Sequence, residues 1–151
     1  MTNNSRRTYA MKSATLALIV TATTAAAIAL PATADASDSY SQFVSPTGNI
    51  VCSVGTADGK SSAACEIRTY NWVAPHCQFG IGNSWGLTQG GAPEPHCHTD
   101  TNFVAGLPIL PYGQLRSAGP ITCKSEPTGM KCYDSSTLHF FRLARESYEV
   151  G

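Results

Sequence analysis

IVCSVGTADGKSSAACEI, residues 50–67, decides the fold. Its centre, Ala57-Asp58-Gly59-Lys60, carries Asp-Gly at the two inner positions, the pair preferred in a two-residue hairpin because both residues must take positive φ. Setting Ala57 opposite Lys60 fixes every further pair, since side chains alternate along a strand with period two. Val54 then faces Ala63, Cys52 faces Cys65 and Ile50 faces Ile67, all on one side, while Ser53, Glu66 and Arg68 turn to the other. The expectation is a half-buried antiparallel hairpin with an apolar side. Counted from the turn, residues 52 and 65 form a non-hydrogen-bonded pair. Their Cα separation should be about 4.5 Å, at the short end of what a disulfide accepts.

The remaining cysteines extend the framework. Cys123 and Cys132 flank Glu126-Pro127-Thr128-Gly129, an echo of Ser45-Pro46-Thr47-Gly48 earlier in the chain. Proline second and glycine fourth suit a type I turn. A two-residue turn would set Cys123 opposite Cys132, whereas a glycine bulge would slip the register and turn them apart. If these two pair, elimination leaves Cys77 with Cys97, closing a longer loop that contains Trp85 and Gly90-Gly91. Each such bridge contributes about 3 kcal/mol in the chain-entropy model, a large share of the stability of a small domain.

Glycine and proline recur at SPTG, ADGK, QGGAPEP, GLPILPYG, SAGP and EPTG, leaving apolar runs too short for most helices. The class is therefore mainly β: a small, single-domain, disulfide-stapled antiparallel β sandwich or barrel with long loops. Only residues 137–148 have helical potential. Their cluster of Leu138, Phe140, Phe141 and Leu143 suits a strand as well, and strand is the reading taken.

The N-terminus has Arg6, Arg7 and Lys12, an apolar stretch from Ala14 to Leu30, then small residues at 32–36. Residues 1–36 read as a removable export signal, and residues 37–151 as a secreted domain holding all six cysteines. Thr15, Thr21, Thr23 and Thr24 interrupt the apolar stretch, which argues against a membrane anchor. Ser5-Arg6-Arg7-Thr8-Tyr9 resembles a degraded twin-arginine signal. Export of already folded protein from a reducing cytosol fits poorly with cysteines that must oxidise, so the general secretory route is preferred. Met11 is an alternative start. From Ser37 onward there are seven basic and nine acidic residues, net minus two and scattered along the chain, which disfavours nucleic acid as a partner.

The chain resembles a family of small secreted actinobacterial proteins that carry a six-cysteine domain of unknown function. The matching stretches are Phe43 to Cys52 (FVSPTGNIVC), Trp85-Gly86-Leu87, Cys97 to Thr101 (CHTDT), Leu110-Pro111-Tyr112-Gly113 and the Cys123–Cys132 segment. The family's last strand opens with glycine and phenylalanine after a histidine. Here Phe140 follows His139 directly, so a bulkier strand is expected. The resemblance implies a six-cysteine secreted domain and brings no catalytic residue with it.

Four constellations could carry chemistry. In PEPHCHTD, residues 93–100, an extended chain would place His96, His98 and Asp100 on one side, two imidazoles and a carboxylate suited to a divalent metal. Against that stand Pro93, Pro95 and the commitment of Cys97 to a disulfide, so the stretch reads as a loop flanking a bridge. Zinc held by Cys77, Cys97 and the histidines lacks the short C-x-x-C spacing and needs thiolates that an oxidising compartment removes. Gly82-Asn83-Ser84-Trp85-Gly86 formally meets the G-x-S-x-G nucleophile pattern, with His98 and Asp100 as base and orienting group, but without the strand-to-helix context that the motif requires. Trp72, Trp85, Tyr112 and Tyr133 could form a stacking surface for a glycan or peptide, or simply fill the core.

The expectation is thus a non-catalytic binding or cell-envelope module with no cofactor, whose partner is an envelope or extracellular protein or a glycan. Two alternatives remain. One is a small extracellular hydrolase using Ser84 or a metal at His96, His98 and Asp100. The other is a secreted protease inhibitor, which would present a rigid loop within residues 78–96.

Overall fold

Ten strands and no helix make up the described residues, 38–151, of this computed structural model: β1 (Ser39–Val44), β2 (Ile50–Ala57), β3 (Lys60–Ile67), β4 (Ser84–Thr88), β5 (Glu94–Pro95), β6 (Leu115–Ala118), β7 (Ile121–Glu126), β8 (Gly129–Asp134), β9 (Phe140–Leu143) and β10 (Tyr148–Val150). The expected export signal, residues 1–36, with its twin-arginine-like stretch and the alternative start at Met11, lies outside the described residues.

The deciding hairpin forms as its turn requires. Asp58 and Gly59 take φ of 51° and 73°, and Ala57 pairs with Lys60, Val54 with Ala63, Cys52 with Cys65 and Ile50 with Ile67. A second hairpin, β7–β8, is built on Pro127-Thr128 with Glu126 opposite Gly129. Its register is the direct one, with no bulge, and Cys123 lies opposite Cys132. Gly129 has φ of 138°, and a Cβ there would stand 2.2 Å from the Leu143 carbonyl oxygen. Only glycine lets β9 approach that turn.

Both sheets are antiparallel meanders in chain order, β1-β2-β3-β4-β5 and β6-β7-β8-β9-β10. They stack as a sandwich, with β2 against β6 and β7, β3 against β7, and β4 against β8 and β9. Matching rows cross the two inner faces. Phe43, Cys52, Cys65 and Trp85 are successive partners in the first, and Cys123, Cys132 and Phe141 in the second, where the row ends at the exposed Arg116 of the edge strand β6. The three disulfides pair in chain order, 52–65, 77–97 and 123–132. At mid-core the Sγ atoms of Cys65 and Cys132 lie 3.5 Å apart, so the two hairpin bridges touch. A polar residue also ties the sheets together. Asp134, fully buried at the end of β8, accepts from the Gly90 N–H at 2.7 Å, beyond the end of β4, and from the Ser136 hydroxyl and N–H.

The first hairpin, expected to be half-buried, is covered on its outer face as well at Glu66. Glu66 does turn to the face opposite the cysteines, yet it is only 4% exposed. The segment after Cys97 folds over that face. The Thr101 hydroxyl and the Asn102 N–H donate to Glu66 at 2.8 and 2.7 Å, and the Arg68 guanidinium lies 4.1 Å from the Phe103 ring centre. Residues 108–110 then pair with Val44, anchoring the cover on the edge strand. Residues 137–148 form no helix: β9 and β10 are joined by a turn closed by Ala144 N–H to the Ser147 carbonyl.

Candidate functional site

The three candidate side chains of PEPHCHTD, His96, His98 and Asp100, sit in different surroundings. Extended pairing ends at Pro95, with one further bridge from His98 to Ile81. His98 spans inward: Nε2 is 2.8 Å from Asn83 Oδ1, and Nδ1 is 2.6 Å from the backbone carbonyl of Asp100. His96 is exposed beside Gly86 of β4, and the Asp100 side chain is exposed. Among the described residues, the group of metal-type ligand atoms within 4.8 Å of one another is Cys52, Cys65 and Cys132, whose sulfurs are all in disulfides. Cys77 and Cys97 are bridged, which removes the thiolates the zinc reading needed.

Ser84 occupies the first position of β4, not a turn, and no helix follows it. It is fully buried, and its hydroxyl donates to the Cys65 carbonyl at 2.8 Å. A nucleophile must reach a base and a substrate. Here the hydroxyl stitches β4 to β3.

The four aromatics separate into different roles. Trp85 is buried in the core row, and Trp72 is half-buried, its indole N–H donating to the Ala144 carbonyl at 2.9 Å. Tyr148 joins them, with ring centres 4.9 Å from each, and Tyr70 stacks on Trp72 at 4.4 Å. Offset and tilted contacts at these distances strengthen packing beyond area alone. Tyr133 stands on the outward face of the second sheet opposite Phe140, whose ring carries the Lys131 ammonium at 4.2 Å. That is where the bulkier residue after His139 is accommodated. Tyr112 alone lies exposed in a concavity.

That concavity is a cleft of about 590 Å3 between the two Pro-Thr-Gly turns. Ser45, Thr47 and Asn49 line it from the β1–β2 turn, Glu126, Pro127 and Thr128 from the β7–β8 turn, and Arg145 and Glu146 from the β9–β10 turn, with Thr69 and Tyr112 between. Internal hydrogen bonds make the first wall rigid. The Asn49 amide exchanges two bonds of 2.9 Å with the Thr69 backbone, and Ser45 Oγ accepts from the Ile50 N–H at 3.0 Å. Tyr112, Thr128 and Arg145 remain exposed. An aromatic ring, hydroxyls, a guanidinium and carboxylates thus converge on one concavity of ligand size. The repeated Pro-Thr-Gly was visible in the sequence as two turns; that both turns edge one cleft depends on how the sheets stack.

The chain belongs to the DUF6636 family of unknown function, whose model matches residues 22–149. No curated protein and no solved structure matches it. The six cysteines of this family member are all in disulfides, and among the described residues no helix is long and apolar enough to cross a membrane.

Proposed function

We propose that the protein is an extracellular, non-catalytic binding module that holds a glycan of the cell envelope in the cleft between its two Pro-Thr-Gly turns. The observation that carries this reading is the composition of that cleft, with Tyr112 beside exposed hydroxyl, guanidinium and carboxylate groups. A sugar offers an apolar face to an aromatic ring and hydroxyls to polar side chains around it. The hydrolase alternative has less support, because Ser84 is buried on a backbone carbonyl and the His98 ring is held by Asn83 and Asp100.

Co-sedimentation with purified cell-wall polysaccharide, followed by calorimetry with soluble oligosaccharides, tests the reading. Tyr112→Ala should weaken binding about tenfold or more, as removal of an aromatic anchor does. Binding that is indifferent to Tyr112 and Arg145 would reject the cleft. Ester or glycan hydrolysis that disappears in Ser84→Ala would restore the enzyme.

A further inference from the structure

Between β3 and β4 the chain leaves three apolar side chains in water: Val73, Phe79 and Ile81 are 89%, 78% and 51% exposed. Exposure at a loop tip commonly accompanies a loose backbone, but this one is locked. Cys77 is bridged to Cys97, and Ile81 exchanges both backbone hydrogen bonds with His98, at 2.9 and 3.3 Å. Neighbouring residues, 97 and 98, therefore anchor both sides of a tip made only of Gln78, Phe79 and Gly80. Two glycines permit the closure. A Cβ on Gly80, whose φ is 107°, would stand 2.4 Å from the His98 carbonyl oxygen, and one on Gly82 would stand 2.2 Å from that of Pro75. From Thr69 to Asn83 there is no Asp, Glu, Lys or Arg. A rigid neutral tip with one aromatic side chain has already lost the conformational entropy that docking would otherwise cost. It suits a narrow apolar pocket better than a charged lipid surface, which basic residues would be needed to approach.

We propose that residues 77–81 form an inhibitor loop that seats Phe79 in the apolar primary-specificity pocket of an extracellular chymotrypsin-like serine protease. Such a pocket is a hydrophobic slot that accepts an aromatic side chain. The protease serine oxygen adds to the Phe79 carbonyl carbon. Cleavage of the Phe79–Gly80 bond gives an acyl ester, and the serine's proton passes through the protease histidine to the Gly80 nitrogen. In an ordinary substrate the amine then departs and water takes its place. Here Cys77 and Ile81 stay tied to 97 and 98, so the Gly80 amine remains beside the ester at high effective concentration. Its return re-forms the peptide bond and regenerates the serine, leaving the protease occupied. None of these residues lines the glycan cleft, so the two proposals stand or fall separately.

The test titrates the full chain, with its disulfides formed, against a chymotrypsin-like and a trypsin-like protease. Stoichiometric inhibition of the first and not the second is expected. Phe79→Lys should reverse that preference, because the trypsin-type pocket holds a carboxylate. Phe79→Gly should weaken inhibition at least about thirtyfold, the effect of losing an interface hot spot. A Cys77→Ser, Cys97→Ser double variant that still folds by circular dichroism should become a substrate cleaved after Phe79. The proposal is overturned by an absence of inhibition at stoichiometric amounts, by inhibition that Phe79→Gly leaves unchanged, or by Phe79-dependent binding to phosphatidylcholine vesicles without inhibition.

Discussion

The two sheets are built on the same device and end in different surroundings. Each centres on a two-residue hairpin with a cross-strand disulfide, and each lines up that bridge with a buried phenylalanine on a flanking strand, Phe43 on the strand before the first hairpin and Phe141 on the strand after the second. In the second sheet only one side is covered. Its three central strands, β7, β8 and β9, alternate strictly, with Lys124, Lys131, Tyr133 and Arg142 facing outward and their neighbours buried. In the first sheet the segment after Cys97 crosses the outer side, so Val51 and Glu66 are buried along with the inner row. A hairpin pattern therefore reports how a strand pairs, and the rest of the chain determines how many of its faces meet water.

The largest effect should come from the shared inner row. Phe141→Ala and Phe43→Ala should each cost about 3–5 kcal/mol in urea unfolding, because both leave cavities in a packed interior. A marked difference between them would mean that one sheet collapses around the void and the other does not. Replacing Cys52 and Cys65 together, or Cys123 and Cys132 together, by alanine should cost about 3 kcal/mol each. Because Cys65 and Cys132 touch, the quadruple variant should depart from additivity by more than about 0.5 kcal/mol; strict additivity would show that the bridges act separately.

Smaller effects separate the outer faces. Glu66→Ala should cost about 2 kcal/mol and expose residues 99–110 to proteases, since it deprives the Thr101 hydroxyl and the Asn102 N–H of their acceptor. Unchanged proteolysis would mean that the cover is held by its pairing with Val44 instead.

Asp134 joins the two sheets, and its carboxyl is held below the usual 3.8, first by the Gly90 N–H, then by the Ser136 hydroxyl and the N–H groups of Ser136 and Thr137, with burial opposing. Because the folded value lies below the unfolded one, this stabilisation is complete above about pH 4 and is lost as pH falls through the folded value. Asp134→Asn should cost about 1 kcal/mol at neutral pH and flatten the acid limb of the stability profile. An unchanged acid limb would place the pH sensitivity elsewhere. On the open face of the second sheet, Lys131→Ala should change stability by no more than about 0.5 kcal/mol.

The candidate sites were less legible than the strands. Asp58-Gly59 announced a turn, a register and a disulfide because all three follow from local backbone geometry. The Cys123 hairpin was ambiguous by one residue, and the approach of β9 to Gly129 accompanies the register found. PEPHCHTD and Gly82 to Gly86 drew attention by residue type alone. Side-chain type does not say whether a hydroxyl points at a substrate or at the carbonyl of the neighbouring strand, and for Ser84 it is the latter.

What the sequence by itself determined was the β class, the first hairpin with its pairing to the residue, and a cysteine framework compatible with closing in order. These depend on turn chemistry, alternation and separations of a few residues. Only the tertiary structure decided that Glu66 is covered, that two disulfides touch, that both Pro-Thr-Gly turns edge one cleft and that Phe79 is left in water. Each of those brings together segments far apart along the chain, and their meeting depends on the packing of two whole sheets, not on the preferences of any short stretch.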